Sequence, residues 1–422
     1  MTRRSCNLYR KKMHSQNYEE LKKYVCLAPW KDFYIYPEAT AVCCPEWMDG
    51  EAIAKEWIDP VDNFPQYACG KVKNHEDVRS KWNDDFMKSF RESTTNGSFK
   101  YCSQKYCPYL SRIVNRSDVD RIVDVRSEHI VTQSTWKNIK SQYVSSEEMP
   151  WTSKDPKKIH FDFDRSCNLA CPSCRLEVVP NQKNDYVEKI IESLDRQFCD
   201  SVESFLLSGS GDPFYSNPFR TFLQNLDLKK YPRLKEIFIV TNGNLLTERM
   251  WATMPHIHHL INGLEISIDA ATQETYEKKV RLNGRWNVLM KNMLFLAKRF
   301  TLKHFVVSFV IQDHNVEEIY PFYLLIKEIM KDRPKGTDYQ IEYRAIQNWR
   351  HQSDEWMRQR DVAHPDHPKH QILIDQLNKI GTRKNVHHNL WHLVSKDPNE
   401  IEGELKQRWR PALKKFASLM GL

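Results

Sequence analysis

Residues 159–174 read IHFDFDRSCNLACPSC: alternating apolar side chains (Ile159, Phe161, Phe163) run straight into a loop bearing Cys167, Cys171 and Cys174. The period-two alternation predicts a strand over Ile159–Phe163. Further strand-like runs follow at Ser204–Leu207, Glu236–Thr241, Gly263–Ile268, Phe305–Ile311 and Tyr339–Tyr343. Helix-length segments lie between them, near Asp185–Arg196, Pro218–Leu226, Thr247–Thr253, Trp286–Arg299 and Val316–Lys331. FIV and FVVSFVI are nearly continuous apolar runs, which a parallel sheet covered by helices requires. Six such units predict an α/β fold, an open or partial barrel, with its chemistry at the C-terminal ends of the strands.

Composition narrows the class. With 422 residues, 40% of them apolar and 28% charged, the chain is long enough for two or three domains and a sizeable core. Its eleven cysteines are unevenly spread: seven in residues 1–107, four in 167–199 and none beyond. An odd total cannot pair off completely, and disulfide frameworks belong to short secreted chains. The N-terminus is basic without an apolar stretch behind it, and no run of about 18 apolar residues occurs. A cytoplasmic protein with no membrane span is expected, its thiols held for metal or chemistry. The net charge of +8 is not gathered into a basic run, so a nucleic-acid partner is not expected.

Unusual residues do follow the strands. The second ends in Gly209-Ser210-Gly211-Asp212, the third in Thr241-Asn242-Gly243, and the fourth carries Ser267 and Asp269. Glycine is scarce, twelve in the chain, yet three fall after strands two and three, where a backbone must approach a ligand or adopt positive φ. The C-x₃-C-x₂-C loop suits an iron–sulfur cluster with one iron left open to a non-protein ligand. It equally admits zinc, with a histidine such as His160 completing the shell.

In order along the chain, these motifs resemble the radical S-adenosylmethionine (SAM) superfamily. CNLACPSC is similar to its cluster signature, GSGDP (residues 209–213) to its glycine-rich motif and VTNGNLLT (240–247) to its third-strand segment. LEISIDAATQETYEKKVR (264–281) and SFVIQDHN (308–315) are similar to its fourth and fifth strands. The resemblance implies a partial (β/α)₆ TIM-like barrel over residues 156–346. It also implies a [4Fe–4S] cluster on Cys167, Cys171 and Cys174, with SAM at the open iron. The SAM contacts it implies are Gly209, Ser210, Gly211, Asp212, Thr241, Asn242, Ser267, Asp269 and Arg281, with Val310 and Ile311 against adenine. Ser173 departs from the pattern, standing where many members carry an aromatic residue.

CLAPWKDFYIYPEATAVCCPEW (26–47), KWNDDFMKSFRES (81–93) and YCSQKYCPYL (101–110) resemble the SPASM/twitch auxiliary-cluster module, here preceding the barrel. That resemblance implies a second [4Fe–4S] cluster on Cys26, Cys43, Cys102 and Cys107, with Cys44 competing for the place of Cys43. The hairpin position usually held by glycine is Ala39, and the closing pair is C-x₄-C. A structural zinc on the same thiolates is the alternative. Cys6, Cys69 and Cys199 have no matched role and read as buried structural thiols.

The expected organisation is a lead-in (1–25), an auxiliary domain (26–115), a connector (116–155), the barrel (156–346) and a C-terminal extension (347–422) that helps close the site. In the extension, His364, His367 and His370 read as a surface loop rather than a metal site, Trp349, Trp356 and Trp391 as packing, and QILIDQLNKI (371–380) as a helix. The resemblance implies an oxidoreductase that forms a 5′-deoxyadenosyl radical and abstracts hydrogen from a peptide or protein. The expected electron donor is a flavodoxin or ferredoxin. The alternatives are a sugar, nucleoside or other small-molecule substrate, or a zinc-stabilised binding module without catalysis.

Overall fold

In the computed structural model, the alternation at Ile159 and Phe161 forms a strand, and each of the five later runs does the same. The structure describes residues 19–393 apart from 37–38, 44–46, 50–51, 54–77, 105–106, 108, 111–112, 114–128, 182–184, 208–209, 300–301, 349–351, 382, 384, 389 and 391–392. Cys6, Cys44, Cys69, Gly209, Trp349 and Trp391 therefore lie outside the described residues. The fold is α/β with a largely parallel, mixed sheet. The chain divides into two compact units, Met1–Asp164 with Asn184–Leu206 and Asp227–Lys235, and Arg165–Lys183 with Leu207–Leu226 and Glu236–Leu422.

In the first unit, β1 (Tyr24–Cys26), β2 (Asp32–Tyr36) and β3 (Ala39–Ala41) precede β4 (Ile130–Thr132), β5 (Val144–Ser146), β6 (Met149–Ser153), β7 (Lys158–Phe161) and β8 (Ser204–Leu207). β2 and β3 form the expected antiparallel hairpin. Beyond that expectation, β2 also pairs in parallel with β7, Phe33 opposite Ile159, so the local order is β8-β7-β2-β3. Residues 116–155, read as a connector, supply β4 to pair with β1, the β5–β6 hairpin, and Trp136 packed 5.0 Å from Trp30.

Helix α1 (Asp85–Thr95) is capped by Asp84, whose side chain accepts the Met87 N–H. On its inner face lies Arg91, fully buried. Its guanidinium donates to the carbonyls of Pro29 (2.8 Å), Trp82 (2.6 Å) and Trp151 (3.2 Å) and to Asn83 Oδ1 (2.7 Å). It also lies 4.5 Å from the centre of the Trp82 ring. Asn83 in turn exchanges two hydrogen bonds with Ser153 at 2.9 Å each, tying α1 to β6. Burial pulls the pKa of Arg91 down to about 9, leaving it a cation at neutral pH.

The second unit holds β9 (Glu236–Thr241), β10 (Ile261–Ser267), β11 (His304–Ile311), β12 (Tyr339–Ala345) and β13 (Val386–His388), all parallel and paired in that order. After α2 (Asp185–Gln197) of the first unit, the longer helices described are α3 (Asn217–Asn225), α4 (Trp286–Arg299), α5 (Ile319–Ile329), α6 (Asp354–Arg360) and α7 (His370–Ile380), with short helical turns at Glu248–Trp251 and Gln273–Thr275. β13 is a strand the sequence did not announce. Gly263 lets the Phe238 ring lie across β10: a Cβ there would sit 2.0 Å from it. Among the described residues, no helix is long and apolar enough to cross a membrane.

Arg91→Met keeps the volume but deletes four hydrogen bonds, leaving buried acceptors bare. The expected loss is about 3 kcal/mol, read as a lower urea midpoint at unchanged slope.

Candidate cofactor sites

The loop carrying Cys167, Cys171 and Cys174 is short, so backbone bonds must hold its shape. Cys167 N–H donates to Val179 (3.0 Å), Ala170 N–H to Leu282 (3.1 Å), and the N–H groups of Cys174 and Arg175 both donate to the Cys171 carbonyl (2.8 Å each). The three thiols pack together around Leu169, and none is in a disulfide. Each accepts one side-chain N–H. Arg281 Nη1 reaches Cys171 at 3.4 Å, Arg175 Nη2 reaches Cys174 at 3.4 Å, and Asn242 Nδ2 lies 3.9 Å from Cys167. Burial pushes the Cys167 thiol up to about 11, against the pull of Arg175.

Asp212 joins this loop to the end of β9. Its buried carboxylate accepts the N–H groups of Phe214 (3.0 Å) and Tyr215 (3.3 Å) on one oxygen. The other oxygen accepts the Thr241 hydroxyl (2.7 Å) and the Asn242 N–H (2.8 Å). Asp212 N–H donates to the Ser166 carbonyl (2.9 Å), beside Cys167. Asn242 completes the link by donating to Asn168 Oδ1 at 2.9 Å. Burial raises the Asp212 pKa and these four donors draw it back. Next along, Gly243 takes φ +75°, where an added Cβ would meet Leu289 at 2.7 Å.

Asp269 follows β10 with φ +64°, a conformation that aspartate tolerates better than bulkier residues. Three contacts hold it there: its Oδ1 accepts the Val310 N–H (2.7 Å), its carbonyl accepts Asn315 Nδ2 (2.8 Å), and Arg281 Nη2 lies 2.7 Å from its Oδ2. A π-helical turn (Tyr276–Val280) delivers Arg281 between Asp269 and Cys171. Ser267 lies 3.1 Å from Ser308, hydroxyl to hydroxyl, and Ile311 is buried. The second unit thus brings together the cysteine loop, Asp212, Thr241, Asn242, Asp269, Arg281 and Val310. Ser210 takes part through its carbonyl, which accepts Arg175 at 2.8 Å.

Sequence reading missed several groups here. Glu265 forms a two-pronged ion pair with Arg344 (2.9 and 3.2 Å), which also pairs with Glu342. A glutamate inside the otherwise apolar GLEISI run was the available signal. Tyr276 OH accepts Asn244 Nδ2 at 2.6 Å, and Gln352 donates to the Pro172 carbonyl of the cysteine loop at 2.9 Å. Arg360 pairs with Asp313 at 2.7 Å, fastening the extension beside the end of β11. The histidine triplet does not converge: His367 bonds the Gln359 carbonyl, His370 that of Val362, and His364 lies 3.8 Å from Asp366.

In the first unit, Cys26, Cys43, Cys102 and Cys107 line one cavity, walled by Val42, Trp47, Phe90, Phe99 and Leu110 among others. Cys26 lies on β1, Cys43 just beyond β3, and Cys102 in a bridge with Met48, so elements distant in sequence supply the thiols. Burial, then the neighbouring thiols, pushes Cys26 and Cys102 far above the ordinary thiol range. His160, which the sequence offered as a fourth zinc ligand for the Cys167–Cys171–Cys174 loop, stacks on Tyr34 at 3.5 Å and belongs to the β7–β2 pair. Among the described residues, no three His, Cys, Asp or Glu side chains gather closely enough for a single ion. Cysteine sulfur is the donor that iron–sulfur clusters take, one thiolate to each iron.

Asp212→Asn would turn an amide NH₂ toward donors on one side or the other. A loss of roughly 2–3 kcal/mol is expected, seen as a lower melting temperature, whereas an unchanged melting temperature would contradict the four-donor description.

No curated protein matches the chain. The solved structures similar to it include TYW1 and SuiB. TYW1 with a lysine–pyruvate adduct bound shares 16% identity, covering 53% of this chain and 72% of that one, at TM-score 0.33. Streptococcus suis SuiB bound to S-adenosylmethionine shares 12% identity, covering 73% of this chain and 64% of that one, at TM-score 0.36. Residues 163–326 match the Radical SAM superfamily model and form a radical SAM superfamily domain, with the S-adenosylmethionine and [4Fe–4S] cofactors that such a domain implies.

Proposed function

We propose that the chain is a radical SAM enzyme that modifies an unreactive C–H bond of a peptide or protein, with two [4Fe–4S] clusters. The observation that carries the chemistry is the thiol triad Cys167–Cys171–Cys174, held between the Asp212 and Asp269–Arg281 networks inside the matched domain. Three thiolates leave one coordination position for a ligand from outside the protein. When bound, the cluster and SAM supply one-electron cleavage of the sulfonium and a 5′-deoxyadenosyl radical that abstracts hydrogen.

The protein's own groups do the rest. Asp212 fixes the turn after β8 and the end of β9, presenting Ser210, Gly211, Thr241 and Asn242 toward the amino-acid part of SAM. Arg281 and Asp269 would lie toward its carboxylate and ribose. The outer end of β11, Val310 and Ile311, offers an apolar edge for adenine. Gly209 belongs to the same proposed set by its motif. An electron donor of the flavodoxin or ferredoxin kind would supply the reductant.

The peptide reading rests on the N-terminal thiols. Their joint lining of one apolar cavity supports an auxiliary cluster on Cys26, Cys43, Cys102 and Cys107, a module frequent in peptide-maturing relatives. Cys43 is the ligand in this reading, since it lines the cavity with the other three.

Anaerobic reconstitution is expected to load about eight irons with matching sulfide. Replacing Cys167, Cys171 and Cys174 by Ala should leave about four. Two zincs in a colourless solution would overturn the proposal. Deuterium transfer from a labelled peptide into 5′-deoxyadenosine would identify the attacked position; transfer only from a sugar or nucleoside would replace the peptide by that class.

A further inference from the structure

Arg175 directly follows the third cysteine, and its position is fixed. Nη1 donates to the Arg165 carbonyl at 2.8 Å, and Nη2 donates to the Ser210 carbonyl at 2.8 Å and to Cys174 Sγ at 3.4 Å. Two carbonyls from different loops thus clamp a permanent cation against a ligand sulfur. Its surroundings are partly buried, so its charge is screened less than that of a surface residue. Arg281 stands against Cys171 in the same way, while the side-chain N–H at Cys167 comes from the neutral amide of Asn242.

We infer that Arg175 is a positioning residue that makes the barrel cluster easier to reduce, by placing its cation and an N–H on Cys174. Adding an electron to a cluster held by thiolates increases its negative charge. A cation and N–H···S bonds at the sulfurs favour the reduced state and raise the potential. The inference rests on the proposed cluster at Cys167, Cys171 and Cys174. The N-terminal thiols provide a contrast: the charged neighbours of Cys26 and Cys102, other than thiols, are Asp32 and Asp49. A cluster there, on its own set of thiols, serves as an internal control.

The test is a redox titration followed by electron paramagnetic resonance. The barrel signal is the one that changes when SAM is added. Arg175→Gln should shift its midpoint negative by about 59 mV or more, a tenfold change in the one-electron equilibrium. Arg175→Lys, which keeps the charge, should recover most of that shift, and the auxiliary signal should stay where it is. Equal barrel midpoints in wild type, Gln and Lys would overturn the inference and leave the cluster reading intact. Wild-type protein with no SAM-responsive signal would overturn both. If the Gln variant binds no iron, Arg175→Met is titrated in its place with the same expectation, and loss of iron from the Met and Lys variants alike marks Arg175 as a structural pin only and overturns the inference.

Discussion

A buried carboxylate surrounded by four donors is the constraint on which the second unit depends. Asp212 is the meeting point of the turn after β8, the end of β9 and, through its own N–H, the start of the cysteine loop. Left unpaired, a buried charge of this kind would be strongly destabilising; with four donors it becomes a rigid joint. Backbone bonds shape the cysteine loop internally, and the loops that bear the chemistry must still be held to one another. Their mutual positions come from this joint and from its counterpart at Asp269, where an ion pair and two hydrogen bonds hold a positive φ.

The same principle organises the first unit with the charge reversed. Arg91 is a buried cation satisfied by backbone carbonyls, one amide oxygen and an indole face. It draws together Pro29, the Trp82–Asn83 pair and Trp151. The thiol-lined cavity lies among the residues these elements carry, Phe90 on α1 and Pro29 among them. Both units use one fully surrounded ionic group to hold loops that could not hold themselves.

Much of this was legible in the sequence, for reasons that can be named. The strands of the matched domain are continuous β-branched or alternating runs, and their signal is local. The cysteine loop, Asp212, Asn242 and Asp269 sit where strands end, so their positions brought them to attention, whereas Arg281 came from the family resemblance. The pairing of β2 with β7 was not legible, because hairpin signals report only the neighbour in sequence and not a partner more than a hundred residues away. β13 is three residues, VHH, too short for a periodic signal. Glu265 and Arg344 lie on separate strands, and their pairing needs the parallel register. Nothing local in the sequence sets Arg91 apart from its charged neighbours; its burial is a property of the tertiary fold.

The central claim is that three thiols on one loop hold a cluster whose open iron takes SAM. Its most direct test is the fate of SAM when mixed with the anaerobically reconstituted, chemically reduced protein. The account predicts 5′-deoxyadenosine and methionine in equal amounts, and neither from protein in which Cys167, Cys171 and Cys174 are replaced by alanine. Intact SAM after incubation with fully iron-loaded, reduced protein would contradict it.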